Sequence, residues 1–272
     1  MSRSRSVGAL CQLGLGIIVA GCAAGAPPRT VAPTPISTPS SEPTSSSTPS
    51  IQNIWEIKPF APLEPGTYFI DPDLDPSTPL RVVYEVPSEG WSMWIGAVRF
   101  AEGGTACSSS GCPGHPSHVA VSITTVTNVV RHGCHDHSWA DPPVGPSVDD
   151  LAAALADLAP FRVTSPPRDV TIYDYRGKHL ELTVPDLPVA GEGDERRFTD
   201  CVDGNLKSWV AAIDTEPGDA YYGYTGPGYT EEFWILDVEG TRLVIVAERS
   251  PGSPSEDIAE LRTILDSIWI DP

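Results

Sequence analysis

The densest group of potential metal ligands in the chain lies in the stretch "RHGCHDH", residues 131–137. It contains His132, His135 and His137, with Asp136 between the last two. Neutral imidazole is a good ligand for zinc and copper(II), and unlike a thiolate it survives an oxidising compartment. The pattern therefore offers an extracytoplasmic zinc or copper site at these three histidines. The alternative is a solvated loop whose histidines bind no metal.

Other candidate ligands are four cysteines and two histidines: Cys107, Cys112, Cys134, Cys201, His115 and His118. The first two cysteines and the two histidines have a spacing that resembles zinc ligand pairs. In an oxidising compartment, however, an even number of cysteines predicts disulfides, and an oxidised sulfur cannot bind zinc as a thiolate. We favour Cys107–Cys112, which are close in sequence, and Cys134–Cys201. The longer loop corresponds to about 4 kcal/mol in the chain-entropy model.

Aromatic residues are concentrated in "AYYGYTGPGYTEEFW", residues 220–234. Its aromatic residues are Tyr221, Tyr222, Tyr224, Tyr229, Phe233 and Trp234. On a loop, tyrosine and tryptophan provide a stacking surface with a polar edge, which suits sugars or peptides. The alternative is a hairpin whose tyrosines pack over the edge of a sheet. We expect any ligand surface to include Tyr221, Tyr222, Tyr224, Tyr229 and Trp234.

Motifs for calcium binding and for catalysis are incomplete or missing. Asp71 and Asp73 begin a calcium-loop pattern, but Pro76 replaces its glycine and Val82 stands at the twelfth position, where an acidic residue is needed. No nucleophile elbow, zinc-protease helix or phosphate-binding glycine loop occurs. His179 is expected to form a solvated ion pair with Glu181. The sequence favours a protein that is not an enzyme, with an envelope hydrolase as the weaker alternative.

The N-terminus has the features of an export signal. Arg3 and Arg5 precede an apolar run over residues 7–20, which is too short to span a membrane. The sequence "VAGC" at residues 19–22 resembles the lipobox of bacterial lipoproteins. That resemblance implies cleavage before Cys22, a diacylglyceryl thioether on its sulfur and a fatty acyl group on its new amino group. Several acyl chains suffice for stable anchoring, so we expect a protein on the outer face of the cell membrane.

Residues 26–50 are almost wholly proline, serine, threonine and alanine, and such a segment cannot bury enough apolar surface to order itself. We therefore expect a signal peptide over 1–21, a lipidated and extended tether over 22–60, and one extracytoplasmic domain over 61–272. Loss of the two signal-peptide arginines leaves 15 basic against 36 acidic residues, a formal charge of −21. This acidity argues against nucleic acid as a partner. The expected partners are the membrane, through the anchor, and an unidentified envelope ligand or protein.

Turn signals and alternating apolar residues predict many strands in the domain. Helices are predicted over 147–159, capped by Ser147, and near the C-terminus, capped by Ser253. Hairpins are predicted around Arg176-Gly177 and Glu239-Gly240. The predicted strands cover residues 67–70, 80–86, 91–100, 118–130, 169–175, 178–184, 206–213, 231–238 and 241–248.

The order of hairpins, a middle helix, further hairpins and the ending "AELRTILDSIWI" resembles the PsbP-like sandwich of actinobacterial lipoproteins. The resemblance covers residues 62–272 and rests on the order of elements. It implies an α+β fold in which a mostly antiparallel sheet is layered with two main helices. It also implies a binding or accessory role, and it transfers no catalytic residues.

Overall fold

About half of the described chain is β-strand, far more than is helical. The computed structural model describes residues 51–73, 78–101, 118–192, 196–211 and 222–272. Its strands are β1 (Gln52–Asn53), β2 (Gly66–Ile70), β3 (Arg81–Val86), β4 (Trp91–Trp94), β5 (Gly96–Phe100), β6 (His118–His132), β7 (Asp136–Trp139), β8 (Arg162–Ile172), β9 (Tyr175–Thr183), β10 (Val189–Ala190), β11 (Arg197–Phe198), β12 (Leu206–Lys207), β13 (Trp209–Ala211), β14 (Gly223–Tyr224), β15 (Thr230–Val238), β16 (Thr241–Arg249) and β17 (Trp269–Asp271). Its α-helices are α1 (Val148–Ala156) and α2 (Ser255–Asp266). Over these residues no helix is both long enough and apolar enough to cross a membrane.

The large sheet has the strand order β4-β5-β6-β16-β15-β9-β8, with neighbouring strands antiparallel. Strand β6 is 15 residues long and therefore serves two sets of partners. Its first half pairs with β5 and β16, and its second half pairs with β13 and β7. Because β6 is long, it pairs with β13 and β7 in addition to its neighbours in the strand order above, and the sheet thus gains two further strands.

A smaller sheet has the order β1-β2-β3-β17. The C-terminal strand β17 pairs antiparallel with β3, while β1 pairs parallel with β2. Ile54, in the turn after β1, is fully buried. The fold therefore includes residues that precede the expected domain start at 61. Two short strand pairs, β10 with β11 and β12 with β14, complete the described sheets.

Apolar cores lie on both faces of the large sheet, and the alternation along β16 shows why. Leu243 and Ile245 point toward the small sheet and α2, whereas Val244 and Val246 point toward the side covered by α1. Successive side chains of a strand face opposite sides of the sheet. A run that is apolar at every position is therefore buried on both faces, and residues 243–247 of β16 form such a run.

Helix α1 begins as predicted. The Ser147 side chain accepts from the Asp150 amide at 3.1 Å, and the Asp150 carboxylate accepts from the Ser147 amide at 3.0 Å, which completes a capping box. Helix α2 begins differently, because Pro254 occupies the N-cap position and no side chain caps it. The predicted cap, Ser253, instead places its hydroxyl 2.8 Å from the His118 carbonyl oxygen, where it ties the loop to β6.

The predicted fold class, a PsbP-like sandwich layered with two main helices, is wrong. The described structure is mostly β, and its two helices are only 9 and 12 residues long. The helices form no layer, because α1 packs against one face of the large sheet and α2 against the other. Where the predicted fold had a layer of helices, the four-stranded sheet packs together with α2 in one core on that face of the large sheet. The order of hairpins and helices along the sequence did not specify which elements cover which face.

One predicted hairpin turn was misplaced by a few residues, and one hairpin was predicted as a single strand. The β8–β9 turn lies at Tyr173-Asp174, whose φ angles are +54° and +67°, and not at Arg176-Gly177. Gly177 lies within β9, where an added Cβ would come 2.0 Å from the Ile235 carbonyl oxygen. The segment 91–100, predicted as one strand, is a hairpin that turns at Ile95-Gly96, with Gly96 at φ +143°. The turn predicted at Glu239-Gly240 is confirmed, with φ angles of +52° and +89°.

Candidate functional site

The aromatic segment that the sequence singled out lies mostly in the interior. Tyr222, Tyr224 and Tyr229 expose 6%, 3% and 4% of their surface and pack in the core on the α1 side of the large sheet. Tyr222 stacks on Trp209 with ring centroids 4.4 Å apart. Tyr221 lies outside the described residues. These tyrosines therefore come together, but over the sheet and not as an open surface.

Trp234 separates from the tyrosines because it is on the opposite face of β15. Its partly buried ring packs against the core on the α2 side, while Phe233 is fully buried on the α1 side. The Arg262 guanidinium lies 5.9 Å from the Trp234 ring centroid. The period of two along a strand thus divides the predicted aromatic group between two cores.

Two glutamates lie beside the tyrosines, and sequence reasoning missed both. Glu231 on β15 and Glu248 on β16 are direct cross-strand partners and expose 1% and 4% of their surface. We call these two residues, together with Tyr222, Tyr224 and Trp209, the acid–tyrosine cluster. The sequence contained a signal for the burial of Glu231. This residue lies two and four positions before the buried Phe233 and Ile235, so on a strand its side chain points to the same face of the sheet. An acidic residue in a core-facing phase is uncommon and marks a position for closer study.

Hydrogen bonds hold most of the cluster in place. The Trp209 indole donates to Glu231 Oε1 at 3.0 Å, and the Tyr224 hydroxyl donates to Glu248 Oε2 at 3.0 Å. The His118 ring contacts the other oxygen of Glu248. The Tyr222 hydroxyl is 2.8 Å from Ser122 Oγ and also accepts from the Trp94 indole at 3.2 Å. Among the described residues, Glu231 Oε2 has no hydrogen-bond partner.

Burial changes the titration of these side chains. It raises the pKa of Glu231 to about 8, and the nearby Glu248 carboxylate adds to the rise, while hydrogen bonds from Tyr224 and Trp209 oppose it. Burial also raises the pKa of Tyr222 and Tyr224 well above the ordinary value for tyrosine. At neutral pH, Glu231 is therefore mainly an uncharged carboxylic acid in a closed cluster. Such a group can give up or take a proton, but no ligand reaches it without movement of the surrounding side chains.

The predicted histidine group occupies the β6–β7 turn. His132 Nδ1 accepts from the amides of Cys134 and His135, each at 3.1 Å, and the His132 and His135 rings stack with centroids 4.6 Å apart. His137 is 9% exposed, and its Nε2 donates to the Gly133 carbonyl at 2.9 Å. The turn therefore brings two imidazoles together and directs the third into the fold. Across the described residues, no group of three or more His, Cys, Asp or Glu side chains is arranged to hold a metal.

The disulfide predicted between Cys134 and Cys201 is confirmed. The two Cα atoms are 4.5 Å apart and the cysteines are 67 positions apart in sequence. The amide of Val202 also donates to the Cys134 carbonyl at 2.8 Å, which fixes the segment after Cys201 against the histidine turn. Cys22, Cys107, Cys112 and His115 lie outside the described residues.

His179 pairs with a different glutamate from the one expected. Its Nε2 lies 2.8 Å from Glu232 Oε1, and the pair is largely buried. Glu181, the expected partner, contacts Arg249 at 3.2 Å. In the β9–β15 register, His179 is diagonal to Glu232, which places the two side chains on the same face of the sheet. The partner of His179 is therefore set by the pairing of β9 with β15, and not by the spacing of His179 and Glu181 along β9.

A cleft of about 340 Å³ lies where α1 begins beside the ends of β9, β15 and β16. Its charged groups already have partners within the protein. Lys178 contacts Asp149 at 2.8 Å and Asp169 at 2.7 Å, and Arg242 donates to the carbonyls of Val126 and Gly145. The cleft therefore presents few unsatisfied groups to a ligand.

The outer face of the small sheet carries the most exposed aromatic residue among the described residues. Trp269 is 56% exposed and lies directly across from Val83, which lies across from Phe69. We call these three the outer aromatic row. Charged groups border the row, because Arg81 and Asp271 are exposed on the same face and Arg81 lies over the Phe69 ring at 5.1 Å. The row is a surface on which a ring and hydrogen-bonding groups are available together.

No protein-family model, curated protein or solved structure matches this chain. Its function must therefore be argued from its own residues.

Proposed function

We propose that this chain is a lipid-anchored extracytoplasmic protein with a binding or accessory role in the cell envelope. The observation that carries the proposal is the Cys134–Cys201 disulfide, because such bonds persist in oxidising compartments and are rare in the cytosol. The lipobox-like "VAGC" at residues 19–22 agrees with export and supplies an anchoring residue, Cys22. The net charge of −19 favours attachment by acyl chains over electrostatic adhesion to anionic lipid.

We place the ligand surface on the outer aromatic row and not on the buried tyrosines. Trp269 offers an exposed ring, and Arg81 and Asp271 beside it offer donors and acceptors. Ligands with an apolar face and a periphery of hydroxyl groups fit such a surface, and saccharides are the class with that chemistry. The proposed role is therefore recognition of an envelope saccharide.

Fractionation of cells tests the anchoring. The full chain should appear in the membrane fraction, and detergent but not high salt should release it. Cys22→Ala should abolish lipidation and leave an uncleaved or soluble form, whereas Cys11→Ala, which lies in the expected signal, is the matched control and should change nothing. Membrane association of Cys22→Ala with unchanged processing would contradict the proposal.

A second candidate function, capture of zinc or copper(II), is supported by the stacked pair His132 and His135. Burial and the neighbouring His135 lower the pKa of His132, which favours the neutral form that a metal needs. Titration of the oxidised protein with copper(II) should show binding that His135→Ala removes, while His137→Ala, whose ring is bonded to a carbonyl, should keep it. Absence of binding below millimolar copper would end this candidate.

A further inference from the structure

Glu231 and Glu248 are direct cross-strand neighbours on the same face of the large sheet, and both side chains are buried. Direct partners in an antiparallel pair have Cβ atoms about 4.5–5.5 Å apart, and both residues are more than nine-tenths buried. Like charges at such a distance in a medium of low polarity disfavour double ionisation. The arrangement therefore requires a neutralising partner or a proton.

The groups that face the pair come from several elements, and they favour one glutamate over the other. Glu248 receives the Tyr224 hydroxyl from β14 and the His118 ring from β6. Glu231 accepts from the Trp209 indole of β13, and the Tyr224 and Ser208 hydroxyls lie close enough to lower its pKa, but among the described residues no hydrogen bond of normal geometry reaches its Oε2. The hydroxyl of Tyr222 is already bonded to Ser122 and Trp94.

Cationic side chains near the pair are few, and none contacts Glu231. Arg196 interacts with Tyr229, whose ring is tilted against that of Tyr224 with centroids 5.1 Å apart. Arg249, the neighbour of Glu248 in sequence, contacts Glu181 on the other face of the sheet. In the described part of the chain, no lysine or arginine forms a salt bridge with the pair, and the His118 ring contacts Glu248.

We propose that Glu231 and Glu248 form a proton-binding site that holds a single proton at neutral pH, with the proton on Glu231. Glu248 is the carboxylate, stabilised by Tyr224 and His118. The raised pKa of Glu231, which burial causes first and the Glu248 charge second, agrees with this assignment. Loss of the proton to solvent leaves two buried carboxylates, which is unfavourable in a medium of low polarity.

Infrared difference spectroscopy of the full chain tests the proposal, because a protonated carboxyl has its own C=O stretching band. At pH 7 the band should be present, and it should vanish as the pH is raised to 9. Glu231→Gln should remove it, while Glu232→Gln, whose carboxylate pairs with Arg262 on the opposite face, should leave it unchanged. Asp71 does not obscure the result, since its pKa is raised only to about 6 by burial and by Asp73.

A second measurement keeps the proposal testable if Glu231→Gln does not fold. Glu248→Gln removes the like charge that helps to hold the proton on Glu231, so the band of the remaining Glu231 carboxyl should vanish at a lower pH than in the wild type. Absence of the band in the wild type at pH 7, or its persistence in Glu231→Gln, overturns the proposal. A band that vanishes at the same or a higher pH in Glu248→Gln also overturns it, because repulsion by Glu248 would then not be what holds the proton.

Discussion

Single residues account for most of the unusual chemistry in this protein. Glu231 and Glu248 interrupt strands that are otherwise apolar on the α1 side, and each is tied to a different aromatic donor. Their positions are predictable from strand phase, whereas their partners are not. Trp209 and Tyr224 come from other strands, at positions that only the folded sheet brings together.

The pH dependence of stability should identify Glu231. Its pKa in the fold is raised to about 8 from an ordinary value of 4.5. The folded state therefore binds more protons than the unfolded state between these values, and the free energy of unfolding falls as pH rises through this window. The slope approaches about 1.4 kcal/mol per pH unit.

Urea unfolding at pH 5, 6, 7 and 8 measures this slope. The wild type should lose stability across the series relative to Glu231→Gln, in which the titration is absent. Parallel curves for the two proteins would show that Glu231 is ionised in the fold.

Trp269 should dominate binding if the outer aromatic row recognises saccharides. Trp269→Ala removes the most exposed ring among the described residues and should lower affinity for peptidoglycan fragments or soluble oligosaccharides about 2- to 12-fold, since a stacking contact contributes roughly 0.5–1.5 kcal/mol. Val163→Ala, at a 39% exposed apolar residue on β8, is the matched control and should bind normally. Isothermal titration calorimetry of both variants and the wild type with the same oligosaccharides measures the difference. Equal affinities would show that the outer aromatic row does not bind these saccharides.

At the scale of elements, the strands were well predicted and their turns were not. Alternation located β2, β3, β6, β15 and β16 within one or two residues, because burial on one or both faces leaves a period of two. The β8–β9 turn was missed because Tyr173 adopts a positive φ, which nothing in its residue type suggests. Gly177 looked like a turn residue but is required for a different reason, close approach to the Ile235 backbone.

Two strand glycines give a direct test of that reason. A Cβ at Gly177 would meet the Ile235 carbonyl oxygen at 2.0 Å, whereas a Cβ at Gly223 would have ordinary contacts of 3.6 Å and beyond. Gly177→Ala should therefore cost about 2 kcal/mol or more of unfolding free energy, and Gly223→Ala less than about 1 kcal/mol. Thermal unfolding of the two variants makes the comparison, and equal losses would show that β9 and β15 are not so closely apposed at this point.

The two-sheet arrangement belongs to the whole molecule and could not be read from the sequence. Which face of the large sheet receives α1, α2 or the small sheet depends on long-range pairings such as β17 with β3. The Cys134–Cys201 disulfide was predictable because the other two cysteines outside the signal and lipobox are close to each other in sequence. From the acidic charge and the N-terminal pattern we expect an extracytoplasmic location. Which faces of the two sheets are covered then limits where a ligand could bind.

The mass of the mature protein is the most direct test of the central claim, that the chain is a lipid-anchored envelope protein. The full chain would be expressed with its own N-terminus, purified from membranes in detergent, and its N-terminal peptide measured by mass spectrometry. The account predicts a chain that begins at Cys22 and carries a diacylglyceryl group on the sulfur, with or without a further acyl group on the amino terminus. A mature chain that retains Met1, or that begins elsewhere without lipid, would contradict it.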